Sequence, residues 1–311
     1  MRYFLKRLLN RKKTSPPYQP VLLVTGCSSG IGLALARLLE REPRYRVVVT
    51  ARESSLPKIK KAGLVESDRF LLRPLDVNVG DERKALIQEI KKIWGGVDIL
   101  VNNAGISYRA VVEHMGEAEE LNQLRTNYLA PMALIRLVLP FMREKGRGKI
   151  INVSSVSGML AMPTMSSYSA SKHALQGASE ALWYEMKPLG VNVTLVQPGF
   201  VNSNSFKNVY HPVKHLARSG EDAVYEDYYD NMIPFVAKMM RSSLANPTTI
   251  AKKILRVIKT QNPPLMVPAS PDAVVFYYLR RLIPRRLFFP ILFHLLPNSK
   301  HWGKKYTKAR K

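Results

Sequence analysis

Cysteine is nearly absent from this chain, since Cys27 is the only one among 311 residues. A single thiol excludes an internal disulfide and cannot supply the ligand cluster of a structural zinc site. Chains without disulfides are typical of reducing compartments, so we expect a cytoplasmic protein. The 6 histidines show no metal-ligand spacing, and we expect no bound metal.

Long apolar runs are missing too, because no stretch reaches the roughly 18 uninterrupted apolar residues of a membrane-spanning helix. The basic, amphipathic start of the chain has no long apolar run before a small-residue cleavage site, which argues against a secretory signal. An organelle-targeting peptide stays open as an alternative, since this segment is basic and free of acidic residues.

Acidic residues are absent from both ends of the chain. Residues 1–20 contain 6 basic residues and residues 273–311 contain 10, so the ends supply most of the formal net charge of +25. The excess charge therefore belongs mainly to the ends, and the middle has the composition of an ordinary enzyme. We expect no nucleic-acid binding, because no recognised binding motif accompanies the charge.

The C-terminal run 276–296 mixes phenylalanine and leucine with arginine and is interrupted by Pro284 and Pro290. Such a segment can lie in a bilayer interface with its cations on anionic headgroups, which predicts peripheral membrane contact through the termini. Alternatively, its apolar side chains can cover the substrate cleft or a subunit contact. Both interpretations hold together if a lipophilic substrate enters from the membrane.

Short runs rich in valine and isoleucine alternate with longer helical patterns, which is typical of βαβ units. We expect an α/β fold, a doubly wound parallel sheet of Rossmann type with helices on both faces and a helical C-terminal extension. The predicted strands are 21–25, 46–50, 70–75, 99–101, 149–153 and 191–196. The predicted helices are 31–41, 81–92, 117–145 and 167–187, and another begins near Pro247.

The domain prediction has three parts: a basic N-terminal extension (1–19), a catalytic domain (20–270) and a basic, apolar C-terminal extension (271–311). The periodic pattern loosens after Val196, and residues 199–246 are rich in tyrosine, serine and asparagine. This long connection leaves the carboxyl end of the sheet, where doubly wound folds bind ligands. It therefore predicts a substrate lid over about 200–246, with a mobile surface insertion as the alternative.

A glycine-rich turn follows the first predicted strand and precedes a helix. Glycines there permit a tight turn and let backbone N–H groups approach a pyrophosphate at the helix N-terminus. The turn predicts a dinucleotide site formed by Gly26, Ser28, Ser29, Gly30, Ile31 and Gly32.

The second predicted strand ends at Arg52, about twenty residues beyond the glycines, where an NAD-specific site presents a carboxylate to the ribose. That carboxylate is missing. Arg52, together with Ser29, can instead pair with a 2′-phosphate, which favours NADP(H) over NAD; a solvated surface arginine is the alternative.

The motifs Thr25-Gly-x-x-x-Gly30-x-Gly32, Asn102-Asn-Ala-Gly105 and Tyr168-Ser-Ala-Ser-Lys172 occur in this order. With them the chain resembles the short-chain dehydrogenase/reductase family over about residues 20–205, and most closely the 17β-hydroxysteroid and retinol dehydrogenase type. The resemblance implies about seven parallel strands and a homo-oligomer. It also implies further cofactor contacts at Asp76, Val77, Asn103, Ala104, Gly105, Pro198, Gly199, Val201 and Ser203, where Ser203 replaces a frequent threonine.

Tyr168 and Lys172 are four residues apart, so they share one face of a helix. The lysine ammonium favours the phenolate, which predicts a lowered tyrosine pKa and makes Tyr168 a general acid in reduction and a base in oxidation. Both residues would also contact the cofactor. The resemblance assigns substrate-oxygen orientation to Ser155, which its spacing favours over Ser154, and a water-holding role to Asn127.

Together these features predict hydride transfer between NADP(H) and the carbonyl or alcohol of a lipophilic substrate such as a steroid, retinoid or acyl ketone. A membrane-associated NADP(H)-sensing scaffold without turnover is the alternative from another class. The complete serine, tyrosine and lysine set argues against it, because a sensor needs the glycine turn but no proton donor. A family member that epimerises or dehydrates its substrate is a third interpretation.

Overall fold

The computed structural model describes residues 18–203 and 224–303. Seven strands form one parallel sheet in the order β3-β2-β1-β4-β5-β6-β7. The strands are β1 (Val21–Val24), β2 (Arg46–Ala51), β3 (Phe70–Pro74), β4 (Ile99–Asn102), β5 (Gly148–Val153), β6 (Val191–Gln197) and β7 (Met266–Pro268). The order reverses between β1 and β4, which places a crevice at their carboxyl ends.

Helices cover both faces of the sheet. They are α1 (Gly30–Glu40), α2 (Leu56–Lys61), α3 (Gly80–Trp94), α4 (Glu117–Leu124), α5 (Ala130–Glu144), α6 (Ser166–Met186), α7 (Glu226–Arg241), α8 (Pro247–Lys259), α9 (Pro271–Leu282) and α10 (Arg285–Leu295). Helices α1 and α8 enclose one apolar core, and α3, α5 and α6 enclose the other. The predicted doubly wound fold with a helical C-terminal extension is therefore confirmed.

The central strands carry apolar side chains on both faces because both faces are covered. All four residues of β1 are buried, and Leu22 and Leu23 point into different cores. This explains why continuous apolar runs, rather than an alternating pattern, marked the strands in the sequence.

The structure differs from the sequence-based prediction at several elements, and helix α2 and strand β7 were not predicted. The predicted helix 117–145 is divided, since a π-helical turn, Arg125–Leu129, separates α4 from α5. The connection 199–246 contains α7, which the loosened pattern did not reveal. Residues 204–223 of this predicted lid, residues 1–17 of the N-terminal extension and residues 304–311 lie outside the described residues. The lid itself stays a prediction.

Within the described ranges, no helix has both the length and the apolarity needed to cross a membrane.

Candidate active site

The glycine turn is shaped by close backbone contacts. Gly26 has a φ of +72°, and a Cβ there would lie 2.6 Å from the Cα of Ala104. A Cβ on Gly32 would lie 2.2 Å from the carbonyl oxygen of Gly26. Only glycine fits these two positions, because any side chain would push the turn apart.

Gly30 differs from its neighbours because it faces open space. Its φ is +56°, and among the described residues no heavy atom lies within 4 Å of the place a Cβ would take. It begins α1, whose N-terminus carries unpaired N–H groups and a positive partial charge. Ser29 is exposed directly before it. This open, electropositive turn fits the pyrophosphate of a dinucleotide.

The turn is braced from the end of β4. The amide of Asn103 donates to the carbonyl oxygens of Thr25 and Gly26 at 2.9 and 3.0 Å. The hydroxyl of Thr25 accepts from the backbone N–H groups of Asn103 and Ala104, both at 3.1 Å. Asn103 and Ala104 therefore hold the predicted cofactor turn in place.

Arg52 and Asp76 follow β2 and β3 and line one open pocket of about 750 Å³. Arg52 is exposed, whereas the neighbouring Arg73 is occupied by ion pairs to Glu66 and Glu89. The Asp76 carboxylate accepts from the backbone N–H of Asn78 at 2.9 Å. The predicted adenosine residues therefore share the edge of the sheet beyond the glycine turn.

Asn127 lies in the π-helical turn and is fully buried. Its amide oxygen accepts from the N–H of Ile106 at 2.9 Å, and its amide nitrogen donates to the carbonyl of Ile106 and to Ser171 Oγ, both at 3.0 Å. A Cβ on Gly105 would lie 3.1 Å from Asn127 Oδ1 and 3.7 Å from Lys172 Nζ. The turn thus brings Asn127 into the same corner as Lys172, and π turns are frequent at functional sites.

Lys172 points from α6 towards the end of β5. Its ammonium donates to the carbonyl oxygen of Val153 at 3.0 Å and lies 5.9 Å from the centre of the Tyr168 ring. The side chain is buried, and burial lowers the pKa of Lys172 to about 8. The lysine therefore changes its charge state close to neutral pH.

The pKa of Tyr168 is raised, which corrects the lowered value expected from the spacing to Lys172. Burial is the largest cause, and it outweighs the lowering by a hydrogen bond with Ser155 and by the charge of Arg109. Tyr168 is half-buried, and the desolvation of its phenolate dominates the shift. At neutral pH Tyr168 is therefore a protonated phenol, the form that can donate a proton.

Ser155, at the end of β5, is the serine that reaches the tyrosine. Its hydroxyl hydrogen-bonds to Tyr168 and accepts from the N–H of Ser157 at 3.1 Å. Ser154 is buried, and its hydroxyl instead accepts a hydrogen bond from Gln176 at 3.2 Å. The geometry thus supports the choice of Ser155 over Ser154.

The loop after β6 is held by the start of α9. Gly199 N–H donates to Ser270 Oγ at 2.9 Å, and Phe200 N–H donates to the Asp272 carboxylate at 2.7 Å. A Cβ on Gly199 would lie 2.0 Å from that carboxylate. Sequence reasoning missed Ser270 and Asp272, because nothing local marks two residues that act 71 and 72 positions away. The predicted contacts Pro198, Gly199, Val201 and Ser203 all belong to this segment.

The family model for short chain dehydrogenase matches residues 20–214. The chain is 33% identical to a 3-ketodihydrosphingosine reductase of Bacteroides thetaiotaomicron, covering 83% of this chain and 90% of that protein. It is 32% identical to human retinol dehydrogenase 8, covering 78% and 79%. A short-chain dehydrogenase structure from Streptomyces avermitilis superposes with a TM-score of 0.73 at 30% identity, covering 85% and 92%.

The chain belongs to the short-chain dehydrogenase family. It is accordingly an oxidoreductase that uses a nicotinamide cofactor and acts on alcohol or keto groups.

Arg109 is a residue of this dehydrogenase that the sequence did not single out. It is partly buried, and its segment is fixed against the start of α6 by a bridge between Ala110 and Met165. Burial lowers the pKa of Arg109, and the nearby phenol of Tyr168 raises it. Its positive charge in turn favours the tyrosine phenolate.

We expect Arg109→Gln to raise the pKa of Tyr168 further, because the substitution removes a cation that stabilises the phenolate. Alcohol oxidation needs the phenolate, so its rate should rise at higher pH in the variant than in the wild type. Arg109→Lys keeps the charge and is the matched control. Overlapping pH profiles of kcat for oxidation in all three proteins would contradict this role.

Proposed function

We propose that this dehydrogenase transfers a hydride between NADP(H) and the carbonyl or alcohol carbon of a lipophilic substrate. The observation that carries the proposal is the convergence of Ser155, Tyr168, Lys172 and Asn127 at the carboxyl end of β5, beside Gly105. The glycine turn after β1 opens at the carboxyl end of the same sheet. A nicotinamide dinucleotide bound there supplies the hydride in reduction and accepts it in oxidation.

The side chains have separate roles in reduction. The Tyr168 phenol gives its proton to the substrate oxygen, and the Ser155 hydroxyl orients that oxygen and stabilises its developing negative charge. Lys172 places a cation beside the resulting phenolate, and Asn127 fixes the neighbouring backbone at Ile106. Oxidation uses the same groups in reverse, with the phenolate as base.

The preference for NADP(H) rests on Arg52 and Ser29. Arg52 is exposed in the pocket that it shares with Asp76, and Ser29 is exposed directly before α1. The strand β2 ends in Thr50 and Ala51 rather than in a carboxylate. A guanidinium and a hydroxyl are suitable partners for a 2′-phosphate.

We expect Arg52→Gln to raise the KM for NADPH by at least about tenfold and to leave the KM for NADH nearly unchanged, because a charged hydrogen bond to phosphate is worth roughly 1.5–3 kcal/mol. Steady-state kinetics with both cofactors measure the split. Arg44→Gln, a change in an exposed arginine before β2, is the control. An equal loss with NADPH and NADH would assign Arg52 another role.

The lipophilic substrate is supported by the side chains beyond the catalytic group. Met162, Phe200 and Phe235 are partly buried and pack with Met232 and Val236 of α7, between the loops that follow β5 and β6. The two curated relatives described above act, by their names, on 3-ketodihydrosphingosine and on retinol, and both compounds are lipids. We propose a steroid, retinoid or acyl ketone as the substrate class.

A screen of NADPH and NADH consumption against steroid ketones, retinal, long-chain ketones and small aldehydes tests the proposal. We expect turnover with a lipophilic carbonyl and faster turnover with NADPH. Cofactor binding without turnover across the panel would instead favour the sensing scaffold. We also propose a cytoplasmic homo-oligomer, which sedimentation of the purified enzyme and fractionation of cells would check.

A further inference from the structure

Helices α9 and α10 present an apolar surface to solvent. Among the described residues, 20 large apolar side chains are exposed, and 10 of them lie in these two helices. We call these ten the C-terminal apolar surface: Val274, Val275, Tyr278, Leu279, Leu282, Leu287, Phe289, Ile291, Phe293 and Leu295. Soluble monomers rarely expose so many large apolar side chains on two consecutive helices, so the surface indicates a binding partner.

Both helices are anchored by a few buried side chains and expose most of their remaining apolar residues. On α9 the exposed apolar residues recur every three or four positions and form one stripe, while Ala273 is buried beneath them. On α10 only Phe288 is buried, and Leu296 after it joins the cluster on α7. Leu282 is 76% exposed and Phe289 50%, which are values for side chains that face solvent.

The polar rim of this surface carries one sign of charge. Arg281, Arg285 and Arg286 are exposed beside the apolar groups. The sequence has no acidic residue after Asp272, and the carboxylate of Asp272 accepts from Phe200 N–H. Apolar helices with an arginine rim are typical of segments that lie in the interface of anionic membranes.

The charge distribution decides between a membrane and a second copy of the chain. Two copies joined through this surface would bring their arginine rims together, and like charges across an interface oppose association. Anionic lipid headgroups would complement the same arginines. We propose that the C-terminal apolar surface docks this dehydrogenase on a bilayer that contains anionic lipids.

Helix α9 of this surface also contacts the two segments that flank the active site. Arg280 Nε donates to the carbonyl of Met159, in the segment that follows Ser155. Asp272, at the start of α9, holds the loop after β6. If the proposed function holds, docking therefore brings the active site close to a lipophilic ketone that is dissolved in the bilayer.

Vesicle flotation with the full-length protein tests the docking without any substrate. We expect the wild type to float with vesicles of phosphatidylcholine and phosphatidylserine, and to bind more weakly at high salt because salt screens the arginines. The triple variant L282Q/F289Q/F293Q should lower the bound fraction at least about tenfold. The control V65Q/L244Q changes exposed apolar residues elsewhere and should bind like the wild type.

A second variant tests the charge. R281Q/R285Q/R286Q should show a smaller preference for vesicles with phosphatidylserine than the wild type, because three of the cations beside the apolar groups are gone; an unchanged preference would contradict the role of this rim. Unchanged binding by the apolar variant would overturn the proposal. The proposal would also be overturned if the wild type did not bind vesicles but formed a dimer, and if the apolar substitutions dissociated that dimer. Thermal unfolding and NADPH affinity report whether each variant folds. If the triple variant does not fold, the single variant F289Q replaces it in the flotation experiment.

The consequence for catalysis is measured separately. Anionic vesicles should lower the KM for a lipophilic ketone in the wild type and leave it unchanged in the apolar variant. Vesicle binding without any carbonyl turnover would remove the proposed function and leave the docking intact, so the two failures are distinguishable.

Discussion

Tyr168→Phe is expected to reduce kcat for carbonyl reduction by about a hundredfold to ten-thousandfold, the usual worth of a positioned general acid. The phenylalanine keeps the ring and its packing but has no proton to give to the developing alkoxide. The affinity for NADPH should stay near that of the wild type, because the glycine turn between β1 and α1 is unchanged and the substitution removes only one hydroxyl from the predicted cofactor contacts. Stopped-flow reduction and fluorescence titration with NADPH measure the two quantities.

The matched control is Tyr184→Phe on the same helix. Tyr184 is 70% exposed and far along α6 from Tyr168, so its hydroxyl should have no effect on turnover. Equal activity of Tyr168→Phe and the wild type would remove Tyr168 as the acid. A parallel loss of NADPH affinity would point to a disrupted cofactor site rather than to a lost proton donor.

Lys172→Met is expected to lose activity and gain stability at the same time. The lysine is buried, and its pKa of about 8 means that the folded protein disfavours the charged form. This lowering of the pKa corresponds to about 3 kcal/mol of destabilisation of the folded state, because one pKa unit corresponds to about 1.36 kcal/mol. The hydrogen bond from Lys172 to Val153 offsets part of this cost. Methionine fills a similar volume without that cost. We therefore expect the free energy of unfolding to rise by about 1–2 kcal/mol at pH 7.

The pH dependence of this gain has a fixed sign. Below the folded pKa of about 8 the lysine is charged in both the folded and unfolded states, so the variant has its full advantage. The advantage shrinks as the pH rises towards the pKa of the lysine in the unfolded state, because the lysine is then neutral in both the folded and the unfolded state. Urea unfolding at pH 7 and pH 9.5 measures it. Lys58→Met, at an exposed position, is the control. A variant less stable than the wild type at pH 7 would contradict the account.

Much of the fold was predictable because apolar runs report burial on both sheet faces. The six predicted strands all occur, and the seventh, β7, is short and only partly buried, so its pattern is weak. Helix α7 was missed although its buried residues, Tyr229, Met232, Val236 and Met240, recur every three or four positions. Pro234 interrupts this pattern and the residues before it are rich in polar side chains, so the helical spacing was overlooked.

The residues of the candidate site also fall into those that the sequence revealed and those that it did not. Residues within one motif, such as Tyr168 and Lys172, were found from their spacing. Arg109 and Asp272 were not, because their roles depend on contacts between distant segments. The direction of the pKa shift of Tyr168 also needed the structure, since spacing reveals the nearby cation but not the burial that outweighs it.

The most direct test of hydride transfer uses NADPH that carries deuterium at both hydride positions of its nicotinamide ring, incubated with steroid ketones, long-chain ketones and retinal. The account predicts an alcohol with one deuterium on its carbinol carbon from at least one of these substrates, and almost none with Tyr168→Phe. Bound cofactor without any deuterated alcohol across the panel would contradict it.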